Sequence, residues 1–251
     1  MTTSTLQNLD NFSGTIIIPV FETYEKSIIP ITFDRLEIPA KVFFGKKDTH
    51  YVAEQNNSIY LFVGLGKTID YKSLKTVFRS ISAKQKEKLS TNVALVLAEN
   101  LNENQVEAML SGLFLGTYDL GHFKLDKKTH PFLEPDFNLK LFSEKDFLAA
   151  AKKGIKIAKA QLETYNLVDL PPNIVNPKYL AKWAQDKGKK YGFEVEVLDF
   201  EAAKIAKLGA FLAVGKGSEN EPQFVIMSYT PKENVINLKH IGLVGKGITF
   251  D

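Results

Sequence analysis

Ser58-Ile-Tyr-Leu-Phe-Val63 is a continuous apolar run that stops at Gly64-Leu-Gly66, and Asn92-Val-Ala-Leu-Val-Leu97 is a second run of the same kind. Between them, Tyr71–Leu89 opens on polar residues and carries Leu74, Val77, Phe78 and Ile81 at helical spacing. Short runs that are apolar throughout fit buried strands, and the 3.6-residue stripe fits an amphipathic helix. Buried strands alternating with helices predict an α/β layer sandwich around a mostly parallel sheet.

The pattern extends in both directions. Gly14–Phe21 and Ala40–Phe44 read as further strands, and Glu103–Leu120 reads as a helix with Val106, Met109, Leu110, Leu113 and Phe114 on one face. Pro131 and Pro135 mark a loop over 126–136, the first plausible boundary, before a last strand at Leu139–Phe142. A long helical segment follows over 144–165. Residues 145–190 hold ten lysines against four acids, which reads as a solvated connecting helix, with an anion- or nucleic-acid-binding face as the alternative. The register then restarts. Asn176-Pro177 is a helix start, the helix Lys178–Tyr191 ends at Gly192, and Phe193–Leu198 alternates as a strand. Glu201–Lys207 is short and helical, and strands are expected at Ala210–Val214, Gln223–Met227 and His240–Val244. The expected organisation is a domain over 1–143, a linker helix over 144–165 and a second α/β unit over 166–251.

Composition removes several classes of chemistry. The 251 residues include no cysteine, which excludes disulfides, zinc ribbons and thiol nucleophiles and fits a reducing, cytoplasmic compartment. The four histidines, His50, His122, His130 and His240, include no i, i+4 pair, so no HExxH helix exists. No apolar run approaches the ~18–20 residues of a membrane span, and the polar start at Met1-Thr-Thr-Ser has no export signal. Of 32 basic residues only Arg35 and Arg79 are arginine. Sequence-reading nucleic-acid proteins lean on arginine for bidentate contacts, so a nucleic-acid partner is not expected.

Three glycine-rich segments are candidate sites. Gly64-Leu-Gly-Lys-Thr68 lacks the first glycine of a phosphate-binding GxxxxGK[ST] loop, because Leu61 stands there. Gly215-Lys-Gly217 fails the same test. Gly245-Lys-Gly247 fails it too, but lies in Gly242-Leu-Val-Gly-Lys-Gly-Ile-Thr-Phe-Asp251, which sets a lysine and an aspartate five residues apart just past an expected strand. Ligands gather at the carboxyl ends of strands in open α/β sheets.

This last stretch resembles the signature of the leucyl (cytosol) aminopeptidase family of di-metal exopeptidases. The resemblance extends to Asn166-Leu-Val-Asp-Leu-Pro-Pro-Asn-Ile-Val-Asn-Pro-Lys-Tyr-Leu180, Glu194–Asp199 and Leu208–Ser218, in family order and spacing. In the first half, Phe62–Lys67 and Gly112–Tyr118 resemble recurring family segments. Asp169 stands where the family more often has asparagine, and Lys207 where it often has glycine.

The resemblance implies an N-terminal macro-like α/β domain, a linking helix, and the start of a zinc-exopeptidase-like α/β domain. It implies that Lys246 and Asp251 are metal ligands, with Asp251 bridging two divalent ions, and that Gly245 and Gly247 let the backbone approach them. Zinc is the expected metal, with manganese, magnesium or cobalt as alternatives. The implied reaction releases leucine or another apolar residue from peptides with a free N-terminus, through a water activated between the metals. A homohexamer is implied as well. The family's other metal carboxylates and its catalytic lysine and arginine have no counterpart up to Asp251, so no catalytic residue is assigned within the chain. It is expected to be an inactive amino-terminal part of the enzyme with exposed apolar surface in its second half. The alternative is a non-catalytic relative whose macro-like domain binds nucleotide or nucleic acid.

Overall fold

The run at Gly14–Phe21 forms an inner strand of a six-stranded sheet. The computed structural model describes residues 2–6, 8–9, 12–23, 31–33, 36–119, 121, 125, 128–231 and 239–249. Contacts divide the chain into two units, Met1–Tyr165 and Asn166–Asp251.

The first unit contains β1 (Thr2–Leu6), β2 (Gly14–Phe21), β3 (Ile31–Phe33), β4 (Leu36–Ile38), β5 (His50–Gln55), β6 (Ser58–Gly66), α1 (Tyr71–Lys84), β7 (Asn92–Val96), α2 (Glu103–Leu115) and β8 (Asn138–Phe142). Helix α3 (Leu148–Asp169) begins in this unit and runs past its limit. The sheet order is β1-β8-β7-β2-β6-β5. All neighbours are parallel except β5 and β6, an antiparallel hairpin. Its two-residue turn, Asn56-Asn57, has both φ values positive, the geometry that matches strand twist.

Burial explains the continuous apolar runs. Ile17, Leu61, Val63, Leu65, Val93 and Leu95 point into a core built with α1, α2 and α3. Their neighbours Ile16, Ile18, Tyr60, Phe62 and Ala94 point into a second core. Alternate residues of a strand face opposite sides, so a strand buried on both sides must be apolar at every position. The second core is capped by the β3–β4 hairpin and by Phe43. Phe33 and Phe43 meet the Phe62 ring edge-on, at centroid distances of 6.4 and 6.5 Å.

Glycines set the approach of α1 to α2. A Cβ on Gly112 would lie 2.4 Å from the Lys75 carbonyl oxygen, and one on Gly116 would lie 2.6 Å from the Arg79 carbonyl oxygen. Both glycines belong to the Gly112–Tyr118 segment. Gly64 plays a similar part in β6, where a Cβ would lie 2.0 Å from the Lys46 carbonyl oxygen. The segment before α1 therefore makes room for neighbouring backbone.

Three expectations for strands are corrected. Ala40–Phe44 forms a turn, closed by Val42 and Phe43 amides donating to the Pro39 carbonyl. Proline at 39 fixes the turn, and of that run Ala40 and Phe43 are buried, Phe43 packing into the second core. The other two corrections fall in the second unit. Strands β1 and β5 lie at the sheet edges and carry no continuous apolar run, which is why the sequence pattern passed over them.

The second unit holds α4 (Pro177–Tyr191), β9 (Glu194–Leu198), α5 (Phe200–Ile205), α6 (Gly209–Gly215) and β10 (Phe224–Ser228). Asn176 caps α4 by accepting from the Tyr179 amide at 2.9 Å, and Gly192 ends the helix in the left-handed conformation. Strands β9 and β10 form an antiparallel pair. Ala210–Val214, expected as a strand, lies within helix α6. A short apolar run does not distinguish strand from helix by period, and Ala, Phe and Leu accept either. His240–Val244, also expected as a strand, has no regular secondary structure and is exposed. A strand exists only through its hydrogen-bonded neighbour, and among the described residues no ladder reaches 239–249.

Candidate functional site

Lys246 lies in the exposed segment 239–249. Cβ atoms built on Gly245 and Gly247 meet nothing within 4 Å, so this segment has open space on both sides of the lysine. Asp251 lies outside the described residues. Among the described residues, no group of three or more His, Asp or Glu side chains could hold a metal ion. One lysine and one aspartate provide two ligand residues, whereas a single catalytic zinc takes about three protein ligands. The residues present therefore do not make up a two-metal site on their own.

The side chains the structure does gather are in the first unit. Glu107, on α2, is 7% exposed. One of its carboxylate oxygens accepts from Lys153 Nζ of α3 at 2.7 Å, and the other accepts from the Tyr71 hydroxyl of α1 at 3.0 Å. The Lys153 hydrogen bond holds the Glu107 carboxyl below the usual carboxylate range, against the opposing effect of burial. Burial, reinforced by the neighbouring Glu107 charge, pushes the Tyr71 hydroxyl up. Every oxygen of this group is directed at a helix neighbour, so it works as a clamp joining α1, α2 and α3. Sequence reading listed the apolar face of α2 and passed over Glu107. The available signal was an acidic residue next to Val106 and Ala108 in an otherwise apolar helix.

His130 is buried and serves packing. Its Nδ1 accepts from the Phe132 amide at 3.1 Å, which leaves the proton on Nε2 to donate to the Ser82 carbonyl oxygen at 3.1 Å. Burial pulls its pKa down, so the neutral ring is favoured. It ties the 130–137 loop to the end of α1.

A hollow of about 970 Å³ opens at the carboxyl ends of β1, β7 and β8. Leu6, Leu97 and Phe142 give it apolar lining, and Glu99, Glu144 and Asp146 add acidic groups. Lys145 Nζ is turned to the Glu99 carbonyl oxygen at 2.5 Å. Among the described residues no helix is long and apolar enough to cross a membrane.

Comparison with known proteins agrees with the second-unit motifs. A family model described as "Cytosol aminopeptidase family, catalytic domain" matches residues 163–251. A probable cytosol aminopeptidase of Sulfurihydrogenibium sp. is 34% identical, over 82% of this chain and 40% of its own length. One of Clostridium perfringens is 32% identical, over 94% of this chain and 50% of its own length. The chain thus spans about half, or less, of the curated relatives it matches. Among solved structures, a tomato leucine aminopeptidase variant superposes with a TM-score of 0.72 at 21% identity, covering 93% of this chain and 52% of that one. The bottromycin maturation enzyme BotP, in complex with Mn, gives a TM-score of 0.69 at 16% identity, covering 88% of this chain and 46% of that one. These two likenesses establish the α/β fold.

Proposed function

Because this chain belongs to the cytosol aminopeptidase family, we propose that it is the amino-terminal part of a metal-dependent aminopeptidase. In this reading the first unit is the macro-like domain, and 166–251 begins the catalytic domain. Lys246 and Asp251 are the contribution of these residues to a centre for two divalent ions, zinc or manganese before magnesium or cobalt. The remaining ligands lie in the part of the relatives' length that this chain does not cover. The observation that carries the reading is the family match over 163–251, which includes Lys246, its flanking glycines and Asp251.

The chemistry of the donors supports these roles. A carboxylate has two oxygens and can bridge two cations, whereas an ammonium must lose its proton before it coordinates. A lysine between two glycines, each with open space where a Cβ would stand, can be brought up to an ion without steric conflict. The substrates of the whole enzyme are peptides with a free N-terminus, leucine or another apolar residue being released. It works in the cytoplasm as a homohexamer. Two ligand residues do not hold two ions, so the 251 residues alone hydrolyse nothing.

The test is hydrolysis of leucine p-nitroanilide by the purified chain with zinc or manganese, and by the chain fused to the uncovered portion of the Clostridium relative. The fusion is expected to be active and to lose activity with a chelator and with Asp251→Ala. Turnover by the 251-residue chain alone would overturn the assignment of its inactivity. A fusion that folds, binds metal and stays inert would overturn the aminopeptidase reading.

A further inference from the structure

Chain connections part between β1 and β8. The two strands are parallel neighbours, with Leu6 beside Phe142. Beyond β7 and β8 the chain turns to one face of the sheet, where α2 and the start of α3 place Val106, Ala150 and Ala151 in the first core. Beyond β1 it turns to the other face, where Leu9 and Phe12 belong to the second core. Connections that part in this way leave a crevice outside the carboxyl ends of the strands, which is where open α/β sheets bind ligands. The hollow of about 970 Å³ lies there. Small-molecule sites span about 300–1,000 Å³, so its size suits one.

Its lining is apolar below and acidic at the rim. Leu97 is buried, and its amide donates to the Phe142 carbonyl oxygen at 2.9 Å, which carries the β7–β8 ladder into the loops. Leu6, Phe142 and Leu148 are half-buried beside it. Glu99 and Glu144 are exposed, and neither carboxylate is in an ion pair among the described residues. Lys145 bonds the Glu99 main chain instead of either carboxylate. The helices leaving the hollow are already capped, Asn102 accepting from the Gln105 amide at 3.0 Å and Asp146 from the Leu148 amide at 2.9 Å. An anion would compete with these caps and meet Glu99 and Glu144 as well. A cation meets neither obstacle.

We propose that this hollow binds a primary amine carrying an apolar body, its ammonium held by Glu99 and Glu144 and its hydrocarbon set against Leu97 and Phe142. Pockets of this kind take most of their contact from apolar lining, and a few polar groups fix orientation and choose the ligand's charge. Here the sign of the rim makes that choice. All of these residues belong to the first unit, so the binding stands whether or not the aminopeptidase reading does.

The test is titration of the nitrogen-labelled 251-residue chain with three probes, followed by amide chemical shifts. Phenethylamine has both the charge and the apolar body. Hydrocinnamate has the same hydrocarbon with a carboxylate in place of the ammonium, and methylamine has the charge alone. Phenethylamine should give saturable shifts at the amides of 5–6, 97–100 and 142–148, with a dissociation constant of about 1 mM. Hydrocinnamate and methylamine should each bind at least about tenfold more weakly. Glu99→Gln with Glu144→Gln should weaken phenethylamine about fivefold, the loss of two exposed charge contacts. Both side chains are exposed, so the fold is retained, checked by unchanged shifts in 58–66 and 103–115. Four results would overturn the proposal: no saturable shifts at these amides, equal binding of hydrocinnamate, equal binding of methylamine, or a double variant that binds phenethylamine as tightly as the parent chain. The probe comparisons need no variant, so they decide the matter even if the substitutions disturb folding.

Discussion

The two units treat the same kind of residue in opposite ways. Among the described residues, 13 of the 17 exposed large hydrophobic side chains lie between Val168 and Ile248, and only Val42, Tyr71, Leu125 and Leu133 lie in the first unit. The first unit closes both faces of its sheet, one with helices and the other with a hairpin and aromatic rings. In the second, Val175, Ala181, Ala184 and Ala203 are the only buried hydrophobics among the described residues. Burial of apolar surface is the main favourable term in folding. The first unit therefore has its own source of stability, and the second draws little from these residues alone. Trp183, the one tryptophan, lies in the second unit and reports on it by fluorescence. Amide exchange in 58–115 reports on the first.

The sharpest way to break this contrast is to put a side chain on a glycine in each unit. Gly112→Val places its Cβ 2.4 Å from backbone, where neither helix can give way locally. Overpacking of this kind costs about 3 kcal/mol, seen as a lowered urea midpoint for exchange in the first unit. Gly245→Ala meets open space and should change stability by less than about 0.5 kcal/mol. A comparable loss at both positions would show that the second unit is packed as tightly as the first.

A smaller loss is expected from Lys153→Met, which takes the charged donor from buried Glu107. A hydrogen bond to a charged group contributes about 1.5–3 kcal/mol. Lys153 is itself largely exposed, so about 1–2 kcal/mol is the fitting range. The sign with pH follows from Glu107 being held below its ordinary 4.5. Stability from the clamp is complete above about that value and lost as pH falls through the lowered folded value. Acid titration of the first unit should therefore be shallower in Lys153→Met than in the parent chain. His130 adds a second, weaker acid effect. Its buried ring resists protonation, so stability complete above 6.5 falls as pH drops from there toward the folded value. The loss between pH 7.5 and 5.5 should be about 1 kcal/mol or less, and His130→Gln should remove its pH dependence.

Legibility in the sequence followed the same division. Buried strands β2, β6 and β7 stood out because both faces are covered and every residue is apolar. Edge strands β1 and β5 did not, since half their positions meet water or polar neighbours. In the second unit, α4 was readable from its asparagine cap and closing glycine. The runs at 210–214 and 240–244 were misread because local composition permits a strand and only a neighbour makes one. Lys246 and Asp251 came from the motif, a pattern of chain chemistry, and not from any clustering a fold would display. Glu107, in contrast, became visible only when three helices met around it.

The smallest expected effect sharpens the comparison from the side of the second unit. Lys207 has φ 56°, and it sits just past α5, where the Leu208 amide donates back to the Ala203 carbonyl oxygen at 3.0 Å. That six-to-one bond is the helix-ending arrangement that favours a left-handed residue, usually glycine, because a Cβ crowds the following carbonyl. Lys207→Gly removes that crowding while adding freedom to the unfolded chain, so the net gain is about 0.5–1 kcal/mol. It should appear as a raised midpoint for Trp183 fluorescence, with exchange in the first unit unchanged. If the two probes moved together, the units would be unfolding as one body and the contrast between them would be one of surface alone. If only Trp183 moved, the second unit has a transition of its own, in which even one backbone torsion is measurable because so little apolar burial supports it.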